Sequence, residues 1–392
     1  MNRLKFMGAD TAVRRCLSVC AVLLICGLVS ACAARPEAGY LASVPGSSAG
    51  GSEHTILVTT TRQRDARPGT LFNGERAPQA DYAKVTVSIP RAHVTGEIEW
   101  ASSPPGDPAA NFVIRQAGYL DSEKAFIREL NAQLATRPRG SRKVFLFVHG
   151  YNTMFAEGLF RYAQVVHDSE SPAVPVLFSW ASHGNLTDYV YDNNSATAAR
   201  DELERTIRLL FASDADQVNI LAHSMGNWVT VEALRQIKMS GRLPQIAKLG
   251  RVLLAAPDID IDVFKSQMRR FGKLKQPFYV VLSKDDNALG VSRFIAGGRS
   301  RLGDYSDAAG LTELGAVVID LSDVEATDSS NHAKFAQIAE IGPKLRSVME
   351  KGALANRLSA SDELDAVGGA TSSVVTLPTR QAGSAIRIIS GQ

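Results

Sequence analysis

Short apolar runs that alternate with helical stretches constrain the fold of this chain more than any other feature. Residues 144–148 and 278–282 consist of aliphatic and aromatic residues alone, as expected of strands that are buried on both faces. Parallel strands need crossover helices, and the helical stretches between these runs supply them. The alternation therefore predicts an α/β fold with a mostly parallel central sheet and helices on both faces.

The predicted elements cover most of the middle of the chain. Strands are predicted at residues 55–59, 84–89, 144–148, 174–179, 218–222, 252–255, 278–282 and 317–321. Helices are predicted at residues 122–134, 156–167, 196–211, 226–239, 261–271 and 332–350. Residues 90–118 are rich in Pro and Gly, and we expect a long loop or insertion there. Ligands of open parallel sheets bind beyond the carboxyl ends of the strands, so we expect functional residues in the loops at that edge.

The amino terminus has the order of a secretory signal peptide. Basic residues up to Arg15 precede an apolar run at residues 16–29, and small residues then lead to Cys32. An uncut anchor helix is the alternative, although the run is short for a membrane span. Val29-Ser30-Ala31-Cys32 resembles the bacterial lipoprotein box, in which the Cys carries the lipid. That resemblance implies export and a membrane anchor at Cys32, and Ala33 after it favours sorting to the outer membrane.

Composition divides the chain into four expected segments. They are a signal peptide at residues 1–31, a flexible tether at 32–53, one α/β domain at 54–352 and a poorly ordered tail at 353–392, in which residues 386–389 remain candidates for an edge strand. All four Cys lie at or before Cys32, so the domain is expected to have no disulfide and no Cys metal site. The signal segment carries the whole net charge of +3, and we therefore expect no nucleic-acid partner.

Ser224 is the candidate nucleophile. Ala222-His223-Ser224-Met225-Gly226 lies between a predicted strand and a predicted helix and matches the nucleophile-elbow pattern, with Ala at the first Gly position. A Ser on this tight turn presents its Oγ above the sheet edge, with the amino terminus of a helix behind it. An ordinary polar Ser at a helix start is the alternative. The pattern in this context predicts a serine hydrolase on an α/β-hydrolase fold.

A Ser hydroxyl needs a neighbouring base, and His332 has the right place in the chain. It follows the last predicted strand of the domain, which suits the order Ser, acid, His. The acid is expected in the turn after residues 278–282, where we favour Asp286 over Asp285. A rival group of acids follows the preceding strand and also suits helix capping: Asp258, Asp260 and Asp262.

The tetrahedral intermediate needs hydrogen-bond donors for its oxyanion. We expect the backbone N–H groups of Met225 and Tyr151 to supply them, with Asn152 as a weaker choice than Tyr151. Large residues near the same sheet edge are predicted to line the substrate pocket: Met154, Phe155, Trp180 and Tyr189, together with Tyr151. The pattern implies no metal and no organic cofactor.

With these residues placed, the chain resembles a family of bacterial α/β-hydrolases of unknown function, DUF900, which is an esterase- or lipase-like group. The resemblance covers residues 55–351 and implies the fold, a Ser-Asp-His triad and hydrolysis of an ester-like bond. Two departures concern the pocket wall: Ala333-Lys334-Phe335 stands where relatives often have Ser-Tyr-Phe, and Ala181 stands where relatives often have Pro. Besides Asp286-Asn287-Ala288-Leu289 and His332, the matching stretches are Thr60-Thr61-Arg62, Val87-Ser88-Ile89-Pro90, Phe147-Val148-His149-Gly150-Tyr151-Asn152, Phe178-Ser179-Trp180, Ala222-His223-Ser224-Met225-Gly226-Asn227 and Ala256-Pro257-Asp258-Ile259-Asp260.

The first hypothesis is therefore an exported, membrane-anchored hydrolase of small-molecule or lipid esters. One alternative is a non-catalytic envelope lipoprotein that uses the same fold for binding, because a fold does not determine a function. The other is a peptidase on the same triad, since no residue pattern selects an ester over an amide. The sequence predicts no oligomeric state.

Overall fold

The apolar runs form the central strands of one sheet in the computed structural model of this protein. The structure describes residues 35–46, 50–241, 247–272, 276–295, 298–305, 307–324, 332, 334–335, 371–376 and 385–390. Ala38–Gln392 form one compact unit that contains the whole sheet, and Met1–Glu37 form another unit.

The sheet has eleven strands within the described residues. They are β1 (Ser52–Arg64), β2 (Phe72–Ile89), β3 (Val113–Leu120), β4 (Lys143–Val148), β5 (Val174–Ser179), β6 (Gln217–His223), β7 (Leu249–Ala255), β8 (Phe278–Leu282), β9 (Ala316–Asp320), β10 (Thr371–Thr376) and β11 (Ala385–Ser390). Their order across the sheet is β10-β11-β9-β8-β7-β6-β4-β5-β1-β2-β3. Each of the eight predicted strands corresponds to a member of this sheet.

Helices cover the connections between the central strands. Those in the described ranges are α1 (Glu123–Ala135), α2 (Phe155–Asp168), α3 (Tyr189–Ala212), α4 (Met225–Met239), α5 (Ile261–Phe271), α6 (Asn287–Ile295) and α7 (Ala308–Glu313). Helix α3 begins seven residues earlier than predicted, because its polar first turns conceal the apolar spacing. The predicted helix at 332–350 lies almost wholly outside the described residues.

The central strands pair in parallel, and their order creates a switch point. Strands β1, β5, β4, β6, β7, β8 and β9 are joined by parallel ladders. From β4 the chain proceeds to β5 on one side and returns to β6 on the other. Such a reversal opens a crevice beyond the carboxyl ends of the two strands, where ligands of these folds bind. The crevice lies between the loop after β4 and the turn at Ser224.

Both faces of the sheet are buried, because the side chains of each strand alternate between two apolar cores. In β4, Leu146 and Val148 pack into one core, while Phe147 packs into the other. Helices α1, α3, α4 and α5 contribute to the first core, and α2 contributes to the second. The prediction of a mostly parallel sheet with helices on both faces is therefore confirmed.

Three stretches at the margins of the domain contain more regular structure than their composition indicated. Residues 90–118 are not all loop, because β3 begins at Val113 and pairs with β2. The expected tether at 32–53 is ordered at its end, where Leu41 is buried, Ser43 bridges Ile114 and β1 begins at Ser52. The expected disordered tail at 353–392 contains β10 and β11, and β11 pairs with β9. Backbone groups at the edges of a sheet favour such additional pairing.

The predicted signal peptide and Cys32 lie outside the described residues. In the part of the chain that the structure describes, no helix has both the length and the apolar character that a membrane span requires.

Candidate active site

Ser224 lies on a strained turn between β6 and α4. Its φ of 51° and ψ of −125° fall in a region that residues with a Cβ rarely adopt. Backbone hydrogen bonds hold this conformation: Ser224 N–H donates to Ala255 O at 3.0 Å, and Ser224 O accepts from Asp258 N at 3.2 Å. The Asn227 side-chain amide donates to both Ser224 O and Ala255 O. Asn227 was not predicted as a functional residue, although it stands in the quoted stretch around Ser224.

Two glycines bring the loop after β4 against this turn. A Cβ on Gly226 would lie 2.3 Å from His149 O, and a Cβ on Gly150 would lie 2.7 Å from the Ser224 Cβ. Real Cβ atoms do not approach other atoms so closely, so both positions require glycine. The contact places Gly150 and the start of the Tyr151 peptide beside Ser224, where the sequence predicted an oxyanion donor.

The structure brings His332 and Asp286 together. His332 Nδ1 lies 2.7 Å from Asp286 Oδ2. A carboxylate only accepts hydrogen bonds, so Nδ1 carries the proton and Nε2 is the basic nitrogen of the ring. The other carboxylate oxygen of Asp286 accepts from Leu289 N at 3.1 Å, which caps α6 and holds the buried side chain in place.

The neighbouring acid, Asp285, has a different partner. Both of its carboxylate oxygens accept from Lys334 Nζ, at 2.7 and 2.8 Å, and Ser283 donates to it as well. Burial raises the pKa of the Asp285 carboxyl, but these hydrogen bonds outweigh burial and hold the pKa below its usual value. Lys334, noted as a departure from the family pattern, thus ties the segment that follows His332 to the turn that carries Asp286.

The rival acids occupy structural positions. Asp260 caps α5 by accepting from the backbone N–H groups of Asp262 and Val263. Asp258 is buried, accepts from Ser292 Oγ at 2.6 Å and lies 3.1 Å from Arg301 Nε.

His223, directly before Ser224, supports the segment that carries His332. Its ring stacks on Phe335 with centroids 4.1 Å apart and lies 4.6 Å from the His332 ring. Burial lowers the pKa of His223 well below its ordinary value, so the ring stays neutral.

A buried arginine lies under the loop after β4. Arg62 is 1% exposed and donates to Ser179 Oγ at 2.8 Å, Ser182 O at 2.8 Å and Thr153 O at 2.7 Å. Burial lowers the pKa of its guanidinium to about 10, which still leaves it charged at neutral pH. No role was predicted for Arg62, although Thr60-Thr61-Arg62 was one of the family-like stretches.

A buried carboxylate holds the same loop from α3. Asp192 is 0% exposed and accepts from Asn152 N at 3.0 Å, Ser182 Oγ at 2.5 Å and His183 N at 2.9 Å. The Asn152 N–H therefore points to Asp192, which favours Tyr151 over Asn152 as the oxyanion donor. The sequence contains no local signal for Asp192, because it lies among polar residues at the start of a long helix.

His149 lies in the same buried group and is neutral. Its Nδ1 donates to Gly150 O at 2.8 Å, so its Nε2 accepts, with Ser179 Oγ at 3.0 Å. Burial, together with the charge of Arg62, lowers the pKa of His149 to about 3. The ring stacks on Trp180 with centroids 5.0 Å apart.

Two of the predicted pocket residues are in the core. Trp180 is 0% exposed and donates its indole N–H to His149 O at 2.8 Å, and Phe155 is buried with its ring against Phe72. Both side chains, which the sequence predicted in the substrate pocket, pack beneath the loop and have almost no exposed surface. Met154 is partly exposed and caps α2.

Tyr189 belongs to a polar cluster beside the Ser224 turn. Its ring packs edge-on against Tyr151, with centroids 5.2 Å apart. Its hydroxyl lies 3.0 Å from Ser292 Oγ and 3.3 Å from Asp258 Oδ2, and Arg301 Nη2 donates to it at 3.4 Å. Burial raises the pKa of Tyr189, so the hydroxyl keeps its proton. The cluster joins α3 and α6 to the loop after β7; its members Ser292 and Arg301 were not predicted.

No group of three or more His, Cys, Asp or Glu side chains within the described ranges is arranged to hold a metal ion.

Because His149 is buried in its neutral form, we expect the folded protein to lose stability in mild acid. Unfolded His149 binds a proton near pH 6.5, while the folded protein does so only near pH 3, so this contribution is complete above pH 6.5 and is lost as the pH falls. Each histidine that is buried in its neutral form lowers the free energy of unfolding by about 1.4 kcal/mol per pH unit below about pH 6.5. Urea unfolding between about pH 7.5 and about pH 5.5 measures how the free energy of unfolding changes with pH.

His54 provides the matched variant for this measurement. Burial lowers its pKa to about 4, so His54→Gln should give a shallower slope than the wild type. A free energy of unfolding that rises towards acid pH in the wild type would contradict the neutral burial of His149.

Comparison with known proteins assigns the chain to a family. Two solved esterases resemble the chain: one from Pyrobaculum calidifontis (10% identity, TM-score 0.32, covering 80% of this chain and 89% of that one) and a thermostable esterase from Pseudomonas putida ECU1011 (15% identity, TM-score 0.31, covering 77% and 85%). No curated protein matches the sequence. The model of one family, described as an alpha/beta hydrolase of unknown function (DUF900), matches residues 122–349, which are more than half of the chain. This protein therefore belongs to the DUF900 family of alpha/beta hydrolases.

Proposed function

We propose that this protein is a serine hydrolase that cleaves a carboxylic ester or lipid ester through Ser224, His332 and Asp286. The observation that carries the proposal is the 2.7 Å contact between His332 Nδ1 and Asp286 Oδ2, next to a strained turn that carries Ser224. An imidazole oriented by a buried carboxylate is the base that a Ser hydroxyl needs.

The mechanism follows from these positions. His332 Nε2 accepts the proton of Ser224 as Oγ attacks the acyl carbonyl, and Asp286 stabilises the imidazolium that forms. The N–H groups of Met225, at the start of α4, and Tyr151 stabilise the oxyanion. His332 then protonates the leaving alcohol, and a water molecule activated by the same imidazole releases the acyl group from Ser224.

An ester is the proposed substrate because the sequence motifs resemble those of an esterase- or lipase-like group and because an alcohol is a better leaving group than an amine. Tyr151, Tyr189 and Met154 are the proposed pocket residues, since each is only partly buried near the loop after β4. The mechanism uses side chains and backbone amides of this chain and assigns no step to a cofactor.

A fluorophosphonate probe tests the nucleophile. The wild type should be labelled, and Ser224→Ala should lose all labelling because the attacking oxygen is gone. Ser240→Ala, which changes a serine at the other end of α4, should be labelled like the wild type. Equal labelling of wild type and Ser224→Ala would disprove the assignment.

The same preparations test whether the enzyme cleaves esters or amides. Turnover is measured with a series of p-nitrophenyl esters and with chromogenic peptides, and only the esters should react. Turnover of peptides alone would identify a peptidase and reject the ester proposal.

Asp286→Asn tests the acid. The amide cannot stabilise the imidazolium, so kcat should fall by about 10³- to 10⁴-fold. Asp260→Asn is the matched control, because Asp260 only caps α5, and its kcat should stay within about threefold of the wild type. A larger loss in Asp260→Asn than in Asp286→Asn would move the acid to the loop after β7.

We also propose that a lipid on Cys32 anchors the exported enzyme to a membrane, with the outer membrane facing the periplasm as the expected place. This rests on the lipoprotein-like stretch that ends at Cys32. Several acyl chains on one residue make such an anchor stable.

Cys32→Ser should move the protein from the membrane fraction to the soluble fraction of the producing cell, as followed by immunoblotting. Continued recovery of Cys32→Ser with membranes would reject the anchor.

A further inference from the structure

We propose that Asp192 is a positioning residue that sets the oxyanion-binding loop, residues 149–153, in its active geometry before substrate arrives. The inference rests on the proposed function, because it assigns a supporting residue to the same site.

The carboxylate of Asp192 accepts hydrogen bonds from this loop and from the loop after β5. The donors are Asn152 N, Ser182 Oγ and His183 N, and each lies within 3.0 Å of a carboxylate oxygen. An acidic residue in the first turn of a helix commonly stabilises the helix alone. These three donors belong to residues that precede α3, so the side chain joins α3 to the loop after β4 and the loop after β5.

The bond to Asn152 bears directly on the oxyanion donor. The Asn152 N–H belongs to the peptide plane that links Tyr151 to Asn152, and Gly150 is fixed on the other side by its contact with Ser224. Only the two backbone torsions of Tyr151 then remain between these fixed points. Asn152 itself is held at a φ of 53°, which costs free energy that the surrounding contacts must supply. Asp192 supplies one of those contacts.

The charge of Asp192 is balanced across the loop by Arg62. Arg62 donates to Thr153 O, at the end of the loop, and to Ser182 O, while Ser182 Oγ donates to Asp192. A buried carboxylate is costly unless hydrogen bonds and a nearby opposite charge compensate it, and Asp192 has three hydrogen-bond donors and the guanidinium of Arg62 on the other side of Ser182. Hydrogen bonds to ionised groups are stronger than neutral ones, so the arrangement restricts the loop more than neutral residues would.

A carboxylate is specifically required at this position. Three donors converge on Asp192, and its two oxygens offer enough lone pairs for all of them. An Asn side chain has one acceptor oxygen and would direct an NH₂ group at a donor. Asp192→Asn should therefore displace the loop rather than merely weaken one bond.

The test measures fluorophosphonate labelling kinetics, because attack on phosphorus also develops negative charge on an oxygen in the oxyanion hole. Asp192→Asn should lower the maximal labelling rate constant by about 10²-fold and leave the half-saturating probe concentration within about twofold. On an ester substrate kcat should fall by the same factor, with KM unchanged. Asp188→Asn is the matched control, since Asp188 lies four residues earlier and contacts His183 through its Nδ1. It should retain the wild-type rate constants.

Ser182→Ala is the second variant and decides the outcome if Asp192→Asn does not fold. It removes one of the three donors to Asp192 and also the acceptor of the Thr153 N–H, and it keeps the charge, so it should lower the maximal rate constant by about tenfold while the variant still folds at a lower melting temperature.

The two proposals fail in different ways. Labelling of wild type that survives Ser224→Ala, or no labelling at all, rejects the proposed function. Labelling that depends on Ser224 but proceeds at the wild-type rate in folded Asp192→Asn, or in Ser182→Ala where that variant must decide, overturns the role of Asp192. A lower melting temperature without a change in the maximal rate constant would make Asp192 a structural residue only.

Discussion

The close approach between the loop after β4 and the turn at Ser224 is the contact on which the site depends. Gly150 and Gly226 have no side chains, and for this reason the two backbones can lie against each other. The parallel ladder between β4 and β6 brings the carboxyl ends of both strands to the same sheet edge. Ser224 after β6 and the loop after β4, which carries one of the proposed oxyanion donors, therefore lie at the same edge without any long-range adjustment.

Charged side chains under and beside this crevice hold it in shape. Arg62 and Asp192 hold the loop after β4, and Lys334 and Asp285 tie the His332 segment to the turn of its acid. Asp285 is exposed, while Arg62, Asp192 and Lys334 are buried, and each of these three has several hydrogen-bond partners, which offsets the cost of removing its charge from water. The neutral rings of His149 and His223 pack between these groups, because burial keeps both histidines unprotonated. The site is thus supported by polar contacts that restrict motion more than apolar packing alone would.

The margins of the domain show how far local patterns reach. Strand β3 lies in a stretch whose composition is typical of a loop, whereas β11 coincides with the short apolar run at residues 386–389 that remained a candidate edge strand. Both pair where the edges of the sheet offer unpaired backbone groups. Phe155 and Trp180 were expected in the pocket because they are large and lie near the expected sheet edge. Their burial depends on the direction of side chains beneath a loop, which spacing in the sequence does not encode.

The sequence by itself determined the parallel sheet, the turn at Ser224 and the order of the three candidate catalytic groups, because apolar periodicity and turn composition are local properties. It also favoured Asp286 over Asp285 and Tyr151 over Asn152, although it could not supply the reason. The folded chain adds a physical reason for each preference: Asp285 pairs with Lys334, and the Asn152 N–H donates to Asp192. Only the folded chain joins Arg62 to Ser182 and Tyr189 to Arg301, since each pair is separated by more than a hundred residues and leaves no pattern along the sequence.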